Sequence, residues 1–173
     1  MSAKAGFHEL EYDTDFFEWS QGQARLIRSL RLVPSDLPPG LDIDHIAEEI
    51  EDLGKAELHA VESQIRNIFV HLLKTVSNPD APAVLHWRTE TTTFFVDLTS
   101  RYSRSMRQLI DMDKTWRLAV RLSRDALHEY GDELAAGVPK TCPFAIEDLV
   151  FEDFDFDRLR DTLSAALNDS PSA

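Results

Sequence analysis

The chain has 173 residues, 18 basic and 31 acidic, for a formal charge of −13, with 43% hydrophobic residues and one cysteine. A lone Cys142 forms no internal disulfide, which excludes a secreted disulfide scaffold. The acidic total opposes nonspecific polyanion binding by the whole molecule, because nucleic-acid affinity rests largely on neutralising phosphates.

In chain order, Phe16, Trp19, Gln23, Ile27 and Leu30 recur at three- and four-residue steps, predicting a first helix with Asp13 or Thr14 as N-cap. Val33 to Gly40 holds three prolines and a glycine and reads as a loop. A long amphipathic helix follows over about 44–76, its stripe traced by Ile46, Ile50, Leu53, Leu58, Val61, Ile65, Ile68 and Leu72. Gly54 within it costs about 1 kcal/mol relative to Ala, and marks either a kink or a close helix crossing.

Asn78 to Pro82 ends that helix. A third stripe runs from Val84 through Trp87, Thr91, Phe94 or Phe95, Leu98, Tyr102 and Met106 to Leu109. A fourth helix is expected from about Thr115 to Ala136, stopped by Gly137 and Pro139. Two short helical segments are expected around 145–150 and 157–167. The fold class is therefore all-α: a bundle of about four main helices, one of them long, with a short helical C-terminal extension. At about 150 residues per domain the length predicts a single domain over 1–173, with frayed tails at 1–11 and 168–173.

No secretory signal is legible in Met1 to Leu10, and the most apolar run, Ile65 to Leu73, is interrupted by Arg66, Asn67 and His71. A spanning helix needs roughly 20 mainly apolar residues. The expectation is a cytoplasmic protein with no membrane partner.

Tyr12-Asp-Thr-Asp-Phe-Phe-Glu-Trp19, Glu48-Glu-Ile-Glu-Asp-Leu-Gly-Lys55, His71-Leu-Leu-Lys74 and Cys142-Pro-Phe144 resemble, in order, blocks of the bacterial family called domain of unknown function 29. The sequence departs from that pattern at the start of the third helix, reading His86-Trp-Arg-Thr-Glu90, and in a longer Pro-rich loop. The resemblance implies a helical cytoplasmic bacterial protein and brings no established activity.

Among candidate chemistries, Asp42, Asp44, Glu48, Glu49, Glu51 and Asp52 place six carboxylates in eleven residues. Complementing the dipole of a helix start accounts for them. An enzymatic reading would use Glu48, Glu49, Asp52 and His71 as catalytic groups, and a metal reading would use His45, Glu49 and Asp52, which share one helix face. At 1.5 Å per residue, His71 lies about 33 Å along the axis from position 49, so one continuous helix cannot unite it with the acids. His71 itself falls at the edge of the apolar stripe and reads first as a hydrogen-bonding residue beside the core. Neither His-Glu-x-x-His nor paired Glu-x-x-His motifs occur, so neither a metal nor another cofactor is expected. Gly-x-Ser-x-Gly is absent, the six glycines are isolated, and Cys142, followed by Pro143, reads as structural.

Charge is uneven. Residues 101–124 hold seven basic side chains against two acidic, and 144–161 seven acidic against two basic. Arg117, Arg121 and Arg124 share a helix face and are the partner-binding candidates. The acidic tail is expected either to lie against this basic stretch or, like it, to be solvated, with Phe151, Phe154 and Phe156 anchoring the segment across a groove between helices; the rival reading is a detachable peptide that docks on another protein. The function expected is a non-enzymatic interaction or regulatory module with a protein partner, a homo-oligomer staying open. The alternatives are a metal-dependent hydrolase or nuclease, and weak nucleic-acid binding through the basic face.

Overall fold

The computed structural model describes residues 12–32, 37–151 and 154–169. Among them are six α-helices and no strand: α1 (Phe16–Ser29), α2 (Ile43–Ser77), α3 (Val84–Arg101), α4 (Met112–Glu129), α5 (Glu147–Val150) and α6 (Phe156–Asp169), with 3-10 turns at Leu30–Leu32 and Arg104–Gln108. The fold is all-α, as the periodicity predicts. The tails 1–11 and 170–173, loop residues 33–36, and Glu152 and Asp153 lie outside the described residues. The chain gathers into two compact units. One draws on residues up to Leu58 together with Ser103–Arg107, the other on His59–Tyr102 and the chain from Gln108 onward.

In the first unit, Asp15 rather than Asp13 or Thr14 caps α1, accepting from the Glu18 amide at 3.0 Å. The same carboxylate accepts from the Ser105 hydroxyl at 2.7 Å and its amide at 3.3 Å, holding the returning turn against the start of α1. The apolar stripe expected on α1 is only half-buried. The fully covered positions are instead Phe17, Ser20, Gly22 and Ala24, and on α2 Ile43, Ala47 and Gly54. Ile46 and Leu53, expected in the core, are 39% and 56% exposed. Small residues win because α1 and α2 cross closely: a Cβ on Gly54 would overlap the Ser20 hydroxyl. Gly54 marks a crossing, and α2 runs unbroken through it.

The second unit has a conventional large-residue core. Val61, Ile65, Ile68 and Leu72 of α2 are fully buried, as the stripe predicts, and so are Leu98 and Trp116, the latter meeting Phe69 edge to face at 5.4 Å. Phe144 stacks on Phe69 with centroids 5.4 Å apart, and the Trp116 indole N–H donates to the Pro139 carbonyl at 2.8 Å. Two boundaries differ from expectation. Helix α3 ends at Arg101, where Tyr102 turns extended (ψ 131), rather than continuing to Leu109. Helix α4 ends at Glu129, not Ala136. Gly131 at φ +79 closes it, with the Gly131 amide donating to the His128 carbonyl and the Asp132 amide to that of Leu127.

Candidate functional site

Within the first unit the acidic start of α2 is largely answered by nearby cations. Asp44 pairs with Arg31 at 2.6 Å, Glu51 with Arg28 at 2.6 Å and Lys55 at 2.9 Å, and Asp52 with Lys55 at 2.8 Å. Hydrogen bonds from Lys55 and then Arg28 hold the Glu51 carboxyl below its ordinary range. His45 Nδ1 lies 2.5 Å from an Asp42 oxygen. That hydrogen bond raises the imidazole pKa and lowers the carboxyl's. Glu48 and Glu49 are exposed. No group of three or more His, Cys, Asp or Glu among the described residues could hold a metal ion. His45, Glu49 and Asp52 share a helix face without converging on one point.

His71 belongs to the second unit, and the acids with which a catalytic reading would group it belong to the first. Its Nε2 lies 2.8 Å from Glu90 Oε2, its ring meets Phe94 edge to face at 5.3 Å, and its side chain is 12% exposed. Nδ1 is buried without a hydrogen-bond partner. Burial, only partly opposed by Glu90, holds the imidazole pKa below its ordinary value, so the neutral form with the proton on Nε2 is favoured. His86, one turn before Glu90, approaches the same oxygen at 3.3 Å. Beside them the Lys74 ammonium sits 4.4 Å from the centre of the Trp87 ring, its pKa lowered by burial.

Sequence reasoning singled out His71 and missed its partners. His86 and Glu90 at i, i+4 were a legible signal, inside the segment that departs from the family pattern. The pairing of Glu90 with His71 needs the α2–α3 turn at 78–83, which no local spacing reveals.

On α4 the buried positions are Thr115, Trp116, Ala119, Ser123 and Leu127. Arg117, Arg121 and Arg124 are exposed on the other side, as the spacing predicts. Arg121 reaches only Asp125, at 4.0 Å, and Arg117 and Arg124 form no ion pair among the described residues. Leu118 and Leu122, expected in the core, are each 40% exposed beside them. Among the described residues no carboxylate of the acidic tail forms an ion pair with these three arginines. Asp157 of α6 receives both guanidinium nitrogens of Arg88 on α3, at 2.9 and 2.5 Å. Of the three anchoring phenylalanines, Phe154 stacks on Phe95 at 4.5 Å and Phe156 is buried, while Phe151 is 63% exposed.

Cys142 is half-buried, its amide bonded to Asp113 at 2.7 Å, and burial pushes its thiol up to about 11. That is a structural thiol and a poor nucleophile.

Among the described residues no helix is long and apolar enough to cross a membrane. No curated protein matches the chain. The fold is similar to the crystal structure of an alpha-helical protein of unknown function from Rhodospirillum rubrum, with a TM-score of 0.84 and 37% identity over 88% of this chain and 97% of that one. The model of a domain of unknown function, DUF29, matches residues 11–155. With most of its length matched, the chain belongs to the DUF29 family.

Proposed function

We infer that the protein is a non-enzymatic interaction module of the bacterial cytoplasm, working without a bound cofactor, whose α4 face receives an acidic protein partner. The observation that carries this reading is the exposed row Arg117, Arg121 and Arg124, on which the chain's own described carboxylates place only the distant Asp125. Exposed cations flanked by exposed Leu118 and Leu122 combine steering charge with apolar area. A bacterial origin fits the Rhodospirillum rubrum relative, and a reducing compartment fits a single cysteine kept as a half-buried thiol.

The test is capture of partners from the native host by the wild type and by the triple variant Arg117→Glu, Arg121→Glu, Arg124→Glu. Loss of the same acidic proteins from the variant, at unchanged melting temperature, supports the reading. Identical partner profiles sink it, and loss only of bound nucleic acid replaces the protein partner with a polyanion.

A further inference from the structure

The α2–α3 turn and the end of α4 enclose a cleft of about 380 Å³ in the second unit, a volume within the range of small-molecule sites. Its walls are mostly apolar, with Trp87 and Pro82 on the α3 side, Leu127 on α4 and the exposed ring of Tyr130 at the rim. The polar groups that reach it divide into satisfied and unsatisfied ones. Asp132 accepts from the Asn78 amide at 2.8 Å, and His86 leans on Glu90 at 3.3 Å. Lys74 differs. Its ammonium is half-buried over the Trp87 ring and has no hydrogen-bond acceptor or ion pair among the described residues.

A half-buried ammonium with no protein acceptor has lost part of its hydration, and a bound anion would compensate it. The indole beneath it and the apolar walls favour a flat, hydrophobic body attached to that anion. We propose that this cleft is a binding site for a small planar carboxylate, whose carboxyl group pairs with Lys74 Nζ and whose ring lies against Trp87 and Pro82. Glu90 partly offsets the Lys74 charge through space but gives it no hydrogen bond, its carboxylate lying against His71 and His86 instead. This site uses none of the α4 arginines, so it stands or falls independently of the protein-partner reading.

Calorimetric titration with naphthoate, its neutral analogue naphthamide, and naphthylmethylammonium tests the proposal on the full chain. Naphthoate binds with a dissociation constant below about 1 mM. The amide binds about tenfold more weakly and the ammonium more weakly still. Lys74→Met keeps the apolar stem and erases the preference for carboxylate over amide. Should that variant fail to fold, the ligand ranking on the wild type still decides. So does the indole N–H resonance of Trp87, assigned through Trp87→Phe, which naphthoate shifts. No naphthoate binding in the millimolar range, equal binding of acid and amide, or shifts confined to Trp19 and Trp116 would overturn the proposal.

Discussion

At the scale of single residues, His71 is held neutral by burial, with Nε2 committed to Glu90 and Nδ1 facing no acceptor. A histidine whose folded pKa is depressed binds its proton more readily in the unfolded chain. Its contribution to stability is therefore complete well above 6.5. It falls as pH drops through 6.5, and stops falling once pH passes below the depressed folded value. Denaturant titrations of His71→Gln, which keeps a donor toward Glu90 but does not titrate, should show a flatter loss of stability than the wild type below pH 6.5. The exposed His45, whose raised pKa has the opposite sign, is common to both proteins and cancels. Parallel pH curves would contradict the buried neutral assignment. Cys142 supplies a second check. With its thiol moved from 9.0 to about 11, thiolate at neutral pH is depleted about a hundredfold. Alkylation by iodoacetamide should be slower by that order in the native protein than after unfolding. Equal rates would mean a reactive, exposed thiol.

At the scale of elements, two glycines with left-handed backbone separate strain from crowding. Gly131 at φ +79 has open space around its missing Cβ, whereas a Cβ on Gly137, at φ +78, would overlap the Leu167 carbonyl oxygen of α6. Gly131→Ala should cost about 1–2 kcal/mol from the left-handed conformation alone. Gly137→Ala should cost about 1–3 kcal/mol more, because the end of α6 must move. Equal losses in urea denaturation would mean that α6 yields freely. The same contrast explains which elements the sequence made legible. Wherever large residues fill the core, as at Val61, Ile65, Ile68 and Leu72, the apolar period marks the buried face directly. Where α1 and α2 cross at Ser20 and Gly54, small residues such as Ala24 and Ala47 are buried beside Phe17 and Ile43, and the larger Ile46 and Leu53 are left exposed. The end of α4 was misplaced for a different reason. Gly131 and Gly137 both carry the helix-stop chemistry, and only the hydrogen bonds of the 127–132 turn decide between them.

For the whole molecule, a charge of −13 coexists with an exposed cationic row. Much of the acidic excess is locally engaged: Asp44, Glu51 and Asp52 with Arg31, Arg28 and Lys55, and Asp157 with Arg88. The uneven charge was readable from the sequence, but its pairing was not, because Arg88 and Asp157 lie 69 positions apart. The acid–His cluster around 42–52 was legible as residues, while the local partners of its acids, Arg31, Arg28 and Lys55, were not. What the sequence could not show at all is the Lys74, His86 and Trp87 cleft, assembled by a turn between two helices. An α4 face that binds an acidic partner must lose affinity when its charge is reversed and must do so in a salt-dependent way. The direct measurement is the dissociation constant of the captured partner for wild type and for the Arg117→Glu, Arg121→Glu, Arg124→Glu variant across a series of ionic strengths. Wild-type affinity should fall with salt, and the variant should bind at least about tenfold more weakly at low salt. Equal affinities that do not change with salt would contradict the interaction-module reading.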